Sequence, residues 1–165
     1  MNTKTNWLAK LNGAEFKVMR LQDAPQRDSA TLDTPQTVID YLMPMLPQSI
    51  AYRPDTENFI VVHLNTRKRP IGWEVVSNGT LDTLLVHPRE VFKSAIIANA
   101  AGIVCLHNHP SGDPTPSDAD IKVTRDLIRA GQLLKIEVVD HLILGQPTNG
   151  GNAYKSLREL GYFAL

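Results

Sequence analysis

The sequence predicts a single-domain α/β protein with a mixed β-sheet flanked by helices, and three observations support this. Segments with strand and helix patterns alternate along most of the chain, which is typical of α/β folds. The 165 residues suffice for one domain with a proper hydrophobic core. Apolar residues make up 42% and charged residues 21% of the chain, so the composition is that of an ordinary soluble globular protein.

The first 34 residues show the alternation of strand and helix patterns least clearly. Residues 14–21 alternate between apolar and polar side chains, which predicts one strand, and residues 22–35 have the composition of a loop. We therefore divide the chain into an N-terminal extension of strand plus loop, residues 1–34, and a folded domain, residues 35–165.

The first half of the domain predicts a helix followed by a β-hairpin. Apolar residues recur at helical spacing over residues 37–46, and Pro44 is expected to distort or end that helix. The β-branched run at residues 58–64 predicts a buried strand, and residues 71–77 predict the returning strand. Another short strand is predicted at residues 83–86.

A second helix is predicted to begin at Pro88, because proline is tolerated in the first turn and Glu90 adds a favourable charge there. Gly102 is expected to end this helix. The short apolar run at residues 103–106 then predicts a central strand that ends at the edge of the sheet, immediately before His107.

The last third predicts a helix, a long strand and a short final helix. Residues 117–130 have a serine N-cap with an acidic residue three positions later, and Gly131 is expected to stop the helix. Residues 133–144 predict the strand, and Leu157 with Leu160 suggests the final helix.

Charge and cysteine content disfavour several classes of protein. Seventeen basic residues balance seventeen acidic ones, whereas a nucleic-acid-binding protein usually shows a basic excess. Cys105 is the only cysteine, so neither an intrachain disulfide nor a cysteine-rich zinc site can form. The sequence shows no signal-peptide pattern and no apolar run approaching the roughly 18 residues of a membrane span, so we expect a cytoplasmic protein without membrane contact.

The most informative residues for function are His107, His109 and Asp120. Two histidines two positions apart in extended backbone point to the same side, and Asp120 lies in the first turn of a predicted helix, where it can reach back toward them. Three such ligands leave one tetrahedral position for water, which is typical of a catalytic zinc site. Zinc lowers the pKa of that water to about 7. We therefore predict one Zn²⁺ per chain.

A catalytic site of this kind also needs a general base, which should be a carboxylate near the metal but not bound to it. Glu57 precedes the buried strand and is the first choice. Glu74 in the next strand and Glu90 at a helix start are the alternatives, and the residue pattern alone does not decide among the three.

The spacing His107-x-His109-Pro110, six residues, then Ser117-x-x-Asp120 resembles the JAMM (MPN) metalloprotease motif. The flanking segments resemble its RadC-like branch: Gly79-Thr80-Leu81, Val86-His87-Pro88-Arg89-Glu90-Val91, HNHPSG at residues 107–112, and Asp140-His141 with Gly145. The resemblance covers roughly residues 35–165. It implies the JAMM/MPN (cytidine-deaminase-like) architecture, a mixed sheet between helices.

The resemblance also implies an activity and roles for individual residues. It suggests a zinc-dependent peptidase or isopeptidase, with a peptide or isopeptide substrate of unknown identity. The family's general base opens the first hairpin strand, the position that Glu57 occupies here. Its serine polarises the substrate carbonyl or holds the oxyanion, and Ser117 matches it.

Several other polar residues have ordinary interpretations. His63 and His87 are expected to be polar residues of a strand and of a helix entry, and Cys105 to be a buried small apolar residue. Asp140 and His141 either orient a metal ligand from outside or form a hydrogen-bonded pair at a strand end.

The alternative to amide hydrolysis is a metal-dependent nuclease or DNA-repair factor of the RadC type. Full-length RadC proteins join a helix-hairpin-helix module to this domain, and residues 1–34 show no pattern of paired helices. Nucleic acid is therefore not an expected partner of this chain alone. A nonenzymatic platform is disfavoured because no metal ligand is missing, and a zinc deaminase because its H-x-E and P-C-x-x-C elements are absent.

Overall fold

The structure, a computed structural model, describes residues 31–53, 55–79, 86–146 and 153–164. The strand predicted at residues 14–21 lies outside these ranges, as does nearly all of the strand predicted at 83–86. In the part of the chain that is described, no helix is both long and apolar enough to cross a membrane.

The described residues form a five-stranded sheet. Its strands are β1 (Asn58–Leu64), β2 (Pro70–Asn78), β3 (Gly102–Asn108), β4 (Glu137–Leu144) and β5 (Tyr154–Ser156). They lie side by side in the order β2-β1-β3-β4-β5. Strands β3 and β4 are parallel and the other neighbouring pairs are antiparallel, which confirms the predicted mixed sheet and the predicted hairpin β1–β2.

Helices cover both faces of this sheet. They are α1 (Pro35–Leu42), α2 (Pro88–Ile97) and α3 (Asp118–Leu134), with a short 3₁₀ helix at Leu46–Gln48. Because side chains alternate along a strand, β1 to β4 each contribute to two separate cores. Helix α1 packs on one face and α2 with α3 on the other, so the predicted α/β architecture of a sheet between helices is confirmed.

Helix α1 begins at Pro35, two residues earlier than predicted, and it ends before Pro44 as expected. Thr34 caps the helix through its side chain and Pro35 occupies the first turn, where its missing N–H leaves no hydrogen bond unmade. The helix ends at Leu42, with Met43 as C-cap, because Pro44 cannot continue it.

Gly102 does not end α2, contrary to the prediction. The helix stops at Ile97 and the chain turns through Asn99, which adopts φ 52°, a left-handed conformation that asparagine tolerates. Gly102 is instead the first residue of β3, where an added Cβ would lie 3.2 Å from the Glu137 carbonyl oxygen. The absence of a side chain at Gly102 therefore allows β3 and β4 to approach each other closely.

Gly131 does not stop α3 either. The helix runs on to Leu134, and Lys135 provides the left-handed residue that ends it, with φ 58°. An added Cβ at Gly131 would lie 2.4 Å from the Ile136 carbonyl oxygen, so the glycine permits the returning chain to pass the helix. Residues 133–134 consequently belong to α3, and β4 begins later than predicted, at Glu137.

The short final helix predicted around Leu157 and Leu160 is also wrong. Strand β5 ends at Ser156 and is followed by turns through residue 163. Leu157 is buried and Leu160 is exposed. A three-residue strand is too short to show alternation in sequence, so β5 was not predicted.

The loop between β3 and α3 is fixed against the end of β4. Its Gly112 carbonyl accepts a hydrogen bond from the Gln146 N–H at 2.8 Å. An added Cβ at Gly145 would lie 2.4 Å from the Gly112 oxygen and 2.7 Å from Cδ of Pro114. This contact leaves no room for any other residue at position 145 unless the loop moves.

His63 joins β1 to α2 in the interior, rather than being an ordinary polar strand residue. Its Nε2 lies 2.9 Å from the Ser94 hydroxyl, which donates its only proton to Glu74. His63 therefore donates from Nε2. Burial lowers the pKa of His63 to about 4 and raises the pKa of Glu74.

Replacing His63 with glutamine should reduce the loss of stability in acid. The unfolded chain protonates His63 near its ordinary pKa of 6.5 and the folded chain only near 4, so protonation favours unfolding as the pH falls between these values. Between about pH 7 and about pH 5 the wild type should lose about 2 kcal/mol more unfolding free energy than His63→Gln. Urea unfolding of both proteins at both pH values, with chelator present, measures this difference. Equal losses of unfolding free energy in wild type and His63→Gln would contradict the prediction.

Replacing Gly145 with alanine should destabilise the fold by roughly 1–3 kcal/mol, because the added methyl group overpacks the Gly112–Pro114 loop. Gly72→Ala is the matched control, since a Cβ there makes only an ordinary 3.8 Å contact with His63. The control should stay within about 0.5 kcal/mol of wild type in denaturant unfolding. Equal stability of the two variants would show that the loop moves to accommodate the added methyl group at little cost in free energy.

Candidate metal centre

The centre lies at the end of the central strand β3, where the sheet meets the start of α3. His107 is the penultimate residue of β3 and its side chain is fully buried, because β1 and β4 flank the strand. His109 follows the strand directly and is 15% exposed. Asp120 lies in the first turn of α3, so strand, loop and helix each contribute one of the predicted residues.

These three side chains meet as the sequence predicted. His107 Nε2 lies 3.0 Å from His109 Nε2 and 3.2 Å from Asp120 Oδ1, and His109 Nε2 lies 3.5 Å from Asp120 Oδ2. Tetrahedral zinc with bonds of about 2.0–2.1 Å holds neighbouring ligand atoms roughly 3.3 Å apart. The three residues are thus spaced so that they could hold one metal ion.

Asp120 is held in place by a capping box at the start of α3. The Ser117 hydroxyl and the Ser117 N–H both donate to Asp120 Oδ2, at 2.6 and 2.7 Å. Burial disfavours the charged carboxylate, but the adjacent His107 ring and the two hydrogen bonds from Ser117 outweigh burial and hold the pKa of Asp120 well below its ordinary value. Asp120 is therefore ionised, as a metal ligand must be.

His109 is oriented by its own loop. Its Nδ1 lies 2.7 Å from the carbonyl oxygen of Asp113, which can only accept a hydrogen bond. Nδ1 of His109 therefore carries a proton, which leaves Nε2, facing His107 and Asp120, as the nitrogen that could bind a metal ion. Asp113 contributes through its backbone, while its carboxylate bonds to the N–H of Thr115.

A second layer of polar groups lies behind His107. His107 Nδ1 is 2.8 Å from His141 Nε2, and His141 Nδ1 is 2.7 Å from the Thr124 hydroxyl. Thr124 in turn donates to the backbone oxygen of Asp120 at 2.6 Å. The sequence reasoning missed Thr124, although a threonine on the inner face of a helix commonly bonds to the carbonyl four residues earlier.

Asp140 and His141 have different roles although they are adjacent. His141 faces α3 and contacts His107, as one of the two predictions for this pair proposed. Asp140 points to the opposite face, where it accepts hydrogen bonds from the Ser156 hydroxyl and the Arg158 N–H. Alternation along β4 separates them, so Asp140 belongs to the packing of β5 and not to the centre.

Glu57 lies one residue before β1. Phe59 is paired with His107 at the end of the β1–β3 ladder, and extending this antiparallel register by two residues would bring Glu57 level with His109. Extending the alternation in the same way would put Glu57 on the face of Phe59, whose ring stacks on that of His107 at a centroid distance of 6.2 Å. Glu57 is half-buried, and its carbonyl accepts a hydrogen bond from Gly79.

The alternative bases are engaged elsewhere. Glu74 accepts the hydrogen bond of Ser94 on α2, beside His63. Glu90 pairs at the surface with Arg89 and Lys93.

The buried Asn58 and the half-buried Asn108 fix the segment that carries Glu57. The Asn108 side chain accepts hydrogen bonds from the N–H and the Nδ2 of Asn58, both at 3.0 Å, and donates to the Thr56 oxygen at 2.9 Å. Asn108 separates the two histidines in sequence, so the same short stretch holds the predicted ligands and anchors the chain before β1. Sequence reasoning gave neither asparagine a role.

Two further residues match their ordinary interpretations. His87 is the N-cap of α2 and accepts a hydrogen bond from the Arg89 N–H at 3.2 Å. Cys105 is fully buried within β3, and burial, with a smaller contribution from Asp140, raises the pKa of its thiol far above the ordinary value.

Comparison with known proteins agrees with this architecture. The family model described as "RadC-like JAB domain" matches residues 32–162. A UPF0758 protein of Caldanaerobacter subterraneus is 43% identical over 154 residues, covering 93% of this chain and 62% of the relative. A UPF0758 protein of Symbiobacterium thermophilum is 46% identical over 143 residues, covering 87% of this chain and 56% of the relative.

The third example, a UPF0758 protein of Moorella thermoacetica, is 58% identical over 91 residues, which cover 55% of this chain and 40% of the relative. The chain thus spans less than two thirds of the length of each of these relatives. The family match includes the whole described sheet, the three helices and all three candidate metal ligands, and it confirms the resemblance stated above. This chain belongs to the RadC-like JAB domain family.

Proposed function

We propose that this chain is a zinc-dependent hydrolase that cleaves a peptide or isopeptide bond. The observation that carries the proposal is the convergence of two imidazole nitrogens and a carboxylate within 3.0–3.5 Å of one another. A set of two histidines and one aspartate suits a catalytic zinc site better than a structural one, which is commonly closed by cysteines. The substrate class follows from the JAMM-type motif.

His107, His109 and Asp120 would hold the zinc ion. Zinc bound there supplies a water molecule acidic enough to attack an amide carbonyl at neutral pH. The hydrogen bond of His109 to Asp113 and the capping box around Asp120 keep these ligands in position before a metal arrives. Little rearrangement would then be needed on binding.

Glu57 would act as the general base. Its carboxylate would accept a proton from the attacking water and deliver it to the nitrogen of the leaving amine, which completes amide cleavage. The strand register supports this role, because extending it by two residues would bring Glu57 level with His109. The hydrogen bonds of Asn58 to Asn108 also support it, since they anchor the residue next to Glu57.

Ser117 would stabilise the oxyanion that forms on the substrate carbonyl. The residue is exposed, so a substrate can reach its hydroxyl. This hydroxyl donates to Asp120 in the structure, so the role requires it to rotate toward the substrate as charge develops there. The backbone N–H of Ser117 would keep Asp120 in place during that rotation.

Metal content tests the site directly. We expect about one zinc per chain in purified wild type and none in His109→Ala, because two remaining ligands hold the ion poorly. His87→Asn is the matched control, since it removes an exposed histidine while keeping an N-cap residue on α2. Elemental analysis measures all three. Wild type that takes up no zinc, even after zinc is added back, rules out the proposed metal site.

Glu57→Gln tests the base. This variant should retain zinc and lose roughly 100- to 10,000-fold in cleavage rate, the range attributed to general base catalysis. Glu90→Gln, which changes an exposed carboxylate paired with Lys93, should cleave at the wild-type rate. Libraries of fluorogenic peptides and isopeptide-linked peptides provide the assay. Full activity in Glu57→Gln eliminates the assigned base, and salt-sensitive cleavage of DNA in place of amides would favour the nuclease alternative.

A further inference from the structure

We propose that Thr124 and His141 form a hydrogen-bond relay that fixes the tautomer of His107, which makes both of them positioning residues for the metal ligand. The inference rests on the proposed metal site and adds to it a determinant of metal affinity. Neither residue belongs to the H-x-H…S-x-x-D motif, since Thr124 lies farther along α3 and His141 lies on β4.

The relay begins at the backbone oxygen of Asp120. The Thr124 hydroxyl lies 2.6 Å from this oxygen, which has no proton, so the single proton of the hydroxyl must lie between them. Toward His141 Thr124 can therefore offer only a lone pair. His141 Nδ1 lies 2.7 Å from the hydroxyl oxygen and so must carry a proton.

The second link runs from His141 to His107. His141 is only 1% exposed and packs edge-on against the Phe59 ring at a centroid distance of 5.3 Å, a setting that disfavours a charged ring. A neutral ring with its proton on Nδ1 has a lone pair on Nε2. That atom is 2.8 Å from His107 Nδ1, so Nδ1 of His107 must be the donor. A histidine must be neutral to bind a metal ion, and in neutral His107 with its proton on Nδ1 the lone pair of Nε2 is directed toward His109 and Asp120.

Reversing the relay would close the site to metals. If Thr124 donated to His141, the proton of His141 would move to Nε2 and that of His107 to Nε2 as well. An N–H would then point at His109 Nε2, 3.0 Å away, where a metal ion would have to bind. The bond of Thr124 to the Asp120 backbone oxygen selects the other arrangement, which is the one that can bind metal.

The relay also connects two of the proposed metal ligands, Asp120 and His107. It starts at the backbone of Asp120 and ends at His107, whose Nε2 lies 3.2 Å from the Asp120 carboxylate. His141 is fixed at backbone level by pairing with Cys105 on β3 and by the Leu157 N–H, which donates to its oxygen at 2.9 Å. The ring of His107 and the first turn of α3 are therefore positioned relative to each other.

Substitutions at Thr124 separate the relay from packing. Thr124→Val keeps the shape and removes the hydroxyl, whereas Thr124→Ser keeps the hydroxyl. Competition with a chromophoric chelator should show zinc binding weakened roughly 10- to 100-fold in Thr124→Val, and close to wild type in Thr124→Ser. Unchanged affinity in Thr124→Val, or equal losses in both variants, would overturn the relay. Thermal unfolding in excess chelator checks that both variants fold.

The imidazole protons can be read out without any substitution. Two-bond ¹H–¹⁵N correlation spectra of wild type, zinc-loaded and metal-free, should show His141 neutral with its proton on Nδ1, and Nδ1 of His107 protonated. A proton on Nε2 of His141 would overturn the relay. If wild type binds no zinc, the proposed metal site fails, and the metal-free spectrum still decides the relay independently.

Discussion

The rest of this structure depends on one constraint: three electron-pair donors must be held close together at a site that is largely shielded from solvent. His107 Nε2, His109 Nε2 and the Asp120 carboxylate lie 3.0–3.5 Å apart, and His107 and Asp120 are almost fully buried. Donors this close repel one another unless a proton or a cation lies between them. The surrounding fold therefore has to hold the three groups in place, and its elements are arranged around that task.

Each donor is held by a different part of the fold. The loop fixed against β4 supplies the Asp113 carbonyl to His109, the capping box of α3 holds Asp120, and β4 supplies His141 to His107. Central placement of β3 lets all three supports reach one point, because a strand flanked on both sides receives contacts from two neighbours. The centre consequently depends on contacts between elements that lie far apart in sequence.

Alternation along the strands lets neighbouring residues perform separate tasks. On β4, His141 faces the centre while Asp140 binds Ser156 on the other face. On β3, His107 faces the centre while Asn108 turns to Asn58 and anchors the chain before β1. The segment that carries Glu57 is thus fixed by the residue between the two histidines, which couples the position of the proposed base to that of the ligands.

The sequence by itself determined what depends on neighbours along the chain: β1, the hairpin, the capping box at Ser117 and the placement of two histidines on one side of the backbone. Only the tertiary structure decided why Gly102 and Gly131 are glycines, because an added Cβ would crowd the Glu137 carbonyl of β4 at Gly102 and the Ile136 carbonyl of the chain leaving α3 at Gly131. It likewise decided the role of Thr124 and the separation of His141 from Asp140. These features arise from contacts between elements and from the path of the chain after α3, and no local periodicity encodes them.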